Sequence, residues 1–178
     1  MSPDMPAADQ LRAAVRDVPD FPKPGIIFKD ITPILSDASL FKQAISEFCQ
    51  AVGDTKIDKV VGIDARGFIF GAAIADRLNA GFIPIRKKGK LPWQTHQLAY
   101  SLEYGESVVE VHKDAINPGE SVILVDDLLA TGGTAVAAVE LLKRLDAKLV
   151  GIHFLIELSF LNGRDKLPQN LIHSILTY

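Results

Sequence analysis

One cysteine in 178 residues, Cys49, excludes a disulfide framework within the chain and any zinc site built from paired cysteines. It sits inside an apolar-periodic segment and is therefore read as a core residue. Long apolar runs are missing too, since none approaches the roughly 20 residues needed to span a bilayer. The first ten residues, MSPDMPAADQ, lack a basic start followed by an apolar stretch, so the cytoplasm is the expected compartment. Positive charge is not in excess: the formal net charge is -3, which gives no reason to expect nucleic acid or an anionic membrane as a partner. Neither the P-loop signature nor the GxGxxG fingerprint occurs, which weakens kinase and dinucleotide-binding readings.

What the chain does have is apolar content, 48% of its residues, enough for one sizeable core at this length. No linker, internal repeat or low-complexity tract divides it, so a single domain over residues 1–178 is expected. Leu11, Ala14, Val15 and Val18 recur at helical spacing up to Pro19, which predicts a short helix leading into an extended, proline-rich arm. Ser36 and Asp37 read as a helix cap, followed by one apolar face made of Leu40, Phe41, Ala44, Ile45 and Phe48. Strands are then predicted at 59–63, 82–86, 122–125 and 149–158, with helices at 68–78 and 134–145. That alternation predicts an α/β fold with a mainly parallel sheet flanked by helices. It breaks between Lys87 and Pro118, where Leu98–Leu102 and residues 108–112 read as two strands flanking Tyr104 and Gly105, an antiparallel excursion or flap.

The most informative stretch is VILVDDLLATGGT at 122–134, a buried strand running into Asp126 and Asp127 and then a small, glycine-rich turn that opens a helix. Ligand crevices in open parallel sheets lie beyond the carboxyl ends of strands, where this segment puts its polar groups. Gly132 and Gly133 permit close backbone approach, and the amides that open the helix, with the hydroxyls of Thr131 and Thr134, are suited to a monophosphate. Two carboxylates would repel that phosphate; they suit sugar hydroxyls or a phosphate-bound cation. An isolated Asp-Asp pair reads more simply as a helix cap, and the full segment is what favours the ligand reading.

This segment resembles the phosphoribosyl pyrophosphate motif of the type I phosphoribosyltransferases. Four further stretches, DFPKPGIIFKDITP at 20–33, GIDARGF at 62–68, IRKKGKLP at 85–92 and YSLEYG at 100–105, are similar to the adenine-specific branch of that family, in unbroken order from about residue 19 onward. The resemblance implies the type I fold with an N-terminal hood over residues 1–34 and a flexible catalytic loop over 87–107, centred on residues 90–105. It implies transfer of a phosphoribosyl group from phosphoribosyl pyrophosphate to adenine, giving AMP and pyrophosphate, with Mg2+ held mainly through the pyrophosphate, and it implies a homodimer.

For the site, the resemblance implies that Ile27, Phe28 and Lys29 of the hood contact adenine together with Leu158. Ala65, Arg66, Lys87 and Lys90 bind pyrophosphate, Asp126 and Asp127 take the ribose hydroxyls, and Ala130, Thr131, Gly132, Gly133 and Thr134 cradle the 5-phosphate. Glu103 is the expected manager of the purine proton and Tyr104 screens the site, with Arg66 counted among the catalytic groups. Family members often carry Arg where Lys29 stands, and a lysine keeps the charge but loses the planar fork. Read alone, Phe28 is as well explained as core, Arg66 as a surface ion-pair residue and the cluster Arg86, Lys87, Lys88 and Lys90 as a solvated loop. Orotate and hypoxanthine-guanine transferases share the acidic turn, and a DNA-binding regulator of the same fold is a further alternative; the chain offers no DNA-reading element for the latter.

Overall fold

The computed structural model describes residues 5–101 and 106–178. Glu103 and Tyr104 lie outside them. The chain opens with helix α1 (Ala7–Ala14) and then strand β1 (Arg16–Pro19), which pairs antiparallel with β2 (Ile27–Asp30) as a two-stranded ribbon. The expected first helix therefore ends early. Val15 and Val18 fit helical spacing, but β-branched residues favour extended backbone, and pairing of Val18 with Phe28 decides the outcome.

Helices α2 (Thr32–Ser36) and α3 (Ala38–Val52) follow. The Asp37 carboxylate caps α3 by accepting from the amides of Ser39 and Leu40 at 2.8 and 2.9 Å, as the sequence predicts. Cys49 on α3 is half-buried and packs against the edge of the core. Then come β3 (Lys59–Ile63), α4 (Arg66–Arg77), β4 (Gly81–Lys87), β5 (Thr95–Ser101), β6 (Glu106–His112), β7 (Ser121–Leu129), α5 (Gly133–Arg144), β8 (Lys148–Glu157) and β9 (Ile172–Thr177). Short 3-10 turns fill the segment between β8 and β9.

The main sheet has the order β5-β6-β4-β3-β7-β8-β9. Pairings β4–β3, β3–β7, β7–β8 and β8–β9 are parallel, while β5–β6 and β6–β4 are antiparallel. The mainly parallel sheet and the antiparallel excursion at one edge match the sequence reading. Strand alternation divides the core between two faces. Val61, Ile63, Val122 and Leu124 meet α5 on one face, and Val60, Ile123 and Val125 meet α3 and α4 on the other. Strands covered on both faces explain why these segments read as continuous apolar runs. Among the described residues no helix is long and apolar enough to cross a membrane.

The order of the sheet sets where a ligand sits. The connection leaving the carboxyl end of β3 runs through α4 to β4 on one side, and that leaving the adjacent β7 runs through α5 to β8 on the other, so the two diverge and open a crevice between them. On β8 and β9, His153 and His173 are register partners. Both line a polar cavity of about 290 Å³ with Thr55 and Asn170. His153 is 4% exposed and its Nδ1 has no hydrogen-bond partner among the described residues.

Burial, with help from His173, lowers the His153 pKa from 6.5 to about 4. The unfolded chain therefore takes up this proton at a higher pH than the native chain, and stability is lost as pH falls from about 6.5 to about 4. The loss attributable to this imidazole is about 3 kcal/mol. Urea unfolding at pH 7 and at pH 4.5 checks this: His153→Gln is expected to lose less stability between the two than the parent chain, and equal losses would remove His153 from the acid response.

Candidate active site

Strand β7 does not stop before its two carboxylates. Pairing with β8 continues through Asp126↔Phe154 to Leu129↔Glu157, so Asp126 and Asp127 are strand residues on opposite faces and not the loop residues the sequence suggests. The apolar stretch 122–125 marks only the doubly covered part of the strand; its continuation reaches the crevice and can carry polar groups. Asp127 is 6% exposed and accepts a short hydrogen bond from Arg66 Nε. Asp126 is partly buried and accepts from the Asp127 amide at 2.9 Å. Removal from water, and next the charge of Asp127, hold the Asp126 carboxyl well above the usual carboxylate range.

Arg66 stands at the start of α4, directly beyond β3. The next residue lets this helix approach β7, because a Cβ at Gly67 would lie 2.8 Å from the Val125 carbonyl oxygen and 2.9 Å from Asp126 Oδ1. That close approach is what joins the GIDARGF segment to the acidic pair. On the same edge Asp64 accepts from Arg86 Nε at 3.2 Å. Ala65, Arg66, Lys87, Asp126, Asp127 and Thr134 share one crevice of about 360 Å³, all of them predicted site residues. Lys90 is not among its lining residues. It sits on the turn after β4, where its amide donates to Glu110 Oε1 at 3.0 Å and its carbonyl accepts from Arg86.

The glycine turn forms a second, smaller hollow of about 90 Å³, lined by Asp126 and by residues 128–135, which include Ala130, Thr131, Gly132, Gly133 and Thr134. Gly132 has φ +80° at the N-cap of α5, a conformation that needs glycine. Gly133, Thr134 and Ala135, which open α5, line this hollow, so it sits at the positive end of the helix dipole. Thr134 Oγ1 donates to the Tyr100 hydroxyl at 3.1 Å, which ties the hairpin strand β5 to this helix.

The hood residues divide by strand alternation. Ile27 and Lys29 face an apolar recess of about 500 Å³ that they share with Leu158, Phe160 and Tyr178. Phe28 points the other way, its ring 5.7 Å from the Arg66 guanidinium carbon and edge-on to Phe21 at 5.2 Å. The Lys29 ammonium is already committed: it binds Asp17 at 2.7 Å and lies 4.1 Å from the centre of the Tyr178 ring. Its backbone is what remains for a ligand.

Two features escaped sequence reading. Tyr100 lines the crevice, and the period-two pair Leu98 and Tyr100, both packed on the core, is the signal that points it inward. Glu110, 2% exposed, fastens the turn after β4 by accepting from the amides of Lys90 and Leu91. Burial pushes its carboxyl up, but these amides and Thr95 outweigh that and leave it below the ordinary value. No local pattern marks it, because its partners come from across the hairpin.

A family model described as "Phosphoribosyl transferase domain" matches residues 34–170. The adenine phosphoribosyltransferase of Anaeromyxobacter dehalogenans (strain 2CP-1) is 56% identical over 170 residues, covering 96% of this chain and 99% of that protein. The crystal structure of the adenine phosphoribosyltransferase of Thermoanaerobacter pseudethanolicus superposes with a TM-score of 0.92 at 47% identity, covering 96% of this chain and 99% of the other. That of Saccharomyces cerevisiae, solved with an imino-altritol bisphosphate and adenine, gives 0.91 at 42% identity, covering 96% and 98%. With the crevice at the β3–β7 switch and the glycine turn as its geometric counterpart, the chain belongs to the phosphoribosyltransferase family, among its adenine phosphoribosyltransferases.

Proposed function

We propose that the chain makes AMP by displacement at the anomeric carbon of phosphoribosyl pyrophosphate, with the labour divided between the crevice, the glycine turn and the hood. One observation carries the reading: the Arg66–Asp127 pair, Asp126 and the glycine turn converge at the carboxyl ends of β3 and β7. N9 of adenine bonds to the anomeric carbon as the bond from that carbon to the pyrophosphate oxygen breaks. The proton leaving adenine passes to Glu103, and pyrophosphate departs.

Positive charge grows on the sugar while negative charge gathers on the leaving group, so opposite charges must be stabilised side by side. Arg66 keeps Nε on Asp127, and its terminal nitrogens serve pyrophosphate oxygens with Lys87 and the backbone at Ala65. Lys90 joins them through movement of its turn. Asp126 and Asp127 accept from the ribose hydroxyls; a donor or a cation beside Asp126 would offset the burial that holds its carboxyl above the usual carboxylate range. The residues fit Mg2+ in the way that ion prefers, through substrate phosphates with at most one or two carboxylates. When bound it supplies charge neutralisation on the pyrophosphate.

The 5-phosphate takes residues 130–134. At the base end, Phe28 offers an aromatic face opposite Arg66, and the hood backbone at Ile27 and Lys29 reads the purine edge, with Leu158 as apolar contact. Carbonyl acceptors facing the exocyclic amine discriminate against hypoxanthine and guanine, which present a carbonyl there. Residues 87–107 act as the catalytic loop, with Tyr104 screening the site from water that would otherwise capture the sugar carbon. The working form is a cytoplasmic homodimer, which sedimentation equilibrium would test.

Incubation with phosphoribosyl pyrophosphate, Mg2+ and each of adenine, hypoxanthine, guanine and orotate is expected to give a nucleotide with adenine only; a faster reaction with any other base would overturn the specificity. Glu103→Ala is expected to lower turnover at least about 100-fold with KM for both substrates within about three-fold, since its role is in the reaction and not in docking. Unchanged turnover removes Glu103 from the mechanism. Thr134→Val is expected to weaken binding of phosphoribosyl pyrophosphate about ten-fold in a calorimetric titration, the worth of one hydrogen bond to a charged group. Undiminished affinity would place the 5-phosphate elsewhere.

A further inference from the structure

We infer that the turn at Gly163–Lys166 is a positioning element for the sugar-phosphate end of the site, and that Lys166 sets the affinity for the phosphorylated ribose without touching it. The inference rests on reading the glycine turn as the 5-phosphate site. The turn lies between β8 and β9, well along the chain from the hollow, and meets it backbone to backbone. A Cβ at Gly163 would lie 2.2 Å from the Ala130 carbonyl oxygen and 3.0 Å from the Gly132 nitrogen. A Cβ at Gly132 would lie 2.7 Å from the Gly163 carbonyl oxygen. No flexible side chain stands between the two segments to absorb a change, so the position of one fixes the other.

Lys166 adds a charge to this contact. Its ammonium donates to the Thr131 carbonyl oxygen at 2.8 Å. A hollow that holds a phosphate by amides needs its carbonyl dipoles turned aside, since an oxygen aimed inward repels the anion. Lys166 does not line the hollow, so its ammonium engages the Thr131 carbonyl from outside it and competes for that oxygen against any inward aim. The same ammonium adds a positive field one peptide unit from the phosphate.

The other side of the turn is anchored to the sheet. Arg164 gives Glu157 two hydrogen bonds, at 2.8 and 2.6 Å, and the Ser174 hydroxyl gives a third at 2.6 Å. Glu157 is 5% exposed on β8, and Leu167, just past the turn, is buried at 6% in the core beside α5. The turn is thus a rigid brace between the sheet and the glycine loop. It is not a free surface segment.

The test uses the full chain with Lys166→Met and Lys166→Arg, and reads steady-state kinetics with competitive inhibition by ribose 5-phosphate and by pyrophosphate. Lys166→Met is expected to raise KM for phosphoribosyl pyrophosphate and the inhibition constant of ribose 5-phosphate by about five- to ten-fold. Turnover at saturation, KM for adenine and inhibition by pyrophosphate are expected to stay within about two-fold, and Lys166→Arg to recover most of the loss. A merely structural role would lower Tm and shift both inhibitors together, and that outcome overturns the inference. So does Lys166→Met with parental affinity for ribose 5-phosphate. If the parent chain itself ignores ribose 5-phosphate while binding pyrophosphate, the phosphate-site reading fails first and the inference with it.

Discussion

Two adjacent carboxylates have to survive burial at the end of β7, and a single guanidinium makes that possible. Asp127 is almost wholly enclosed and leans on Arg66, while Asp126 accepts from the Asp127 amide and, among the described residues, pairs with no cation within salt-bridge distance, so burial keeps it protonated more readily than a free carboxyl. Arg66 is itself half-exposed, so its loss would be softened by water, but Asp127 would be left enclosed without its counter-charge, and the pair thereby joins α4 to β7. Much of the surrounding geometry follows from that link. Gly67 must be bare for the helix to come close enough, and the crevice between β3 and β7 takes its width from the approach.

The two ends of the site are built on different foundations. The glycine turn opens α5, whose inner face, including Ala135, Ala138, Leu141 and Leu142, is part of the central core. The proposed base end lies at the β1–β2 ribbon, which makes no strand pairing with the main sheet among the described residues. The ribbon is held instead by side chains such as Lys29 against Asp17 and Tyr178. A phosphate has one shape and needs fixed donors; a flat base needs surfaces that close on it.

How much of this was legible follows from the range of the interactions involved. Strand β3 was read to the residue, and the Asp37 cap was found because its partners lie two and three positions away. The acidic pair and the glycine turn were found because strand, carboxylates and turn follow one another directly in the chain. Val15 and Val18 were misplaced because three-to-four spacing and β-branching point to different structures, and only pairing across the ribbon decides between them. The extension of β7 to Leu129 was missed because apolar runs report burial on both faces, which ends before the strand does. Glu110 and the Arg164–Glu157–Ser174 cluster were invisible for the same reason as each other: each joins segments that only the fold brings together.

The detachment of the β1–β2 ribbon from the main sheet has a consequence for how such a molecule can change. Substitutions at Ile27 or Phe28 remodel a ribbon that is partly exposed and contributes little to the central packing, so such variants should keep their foldedness. The glycine turn allows no such latitude, because any side chain at Gly132 or Gly163 collides with backbone. Diversification of this scaffold is therefore asymmetric: the ribbon can be varied while the glycine turn stays constant.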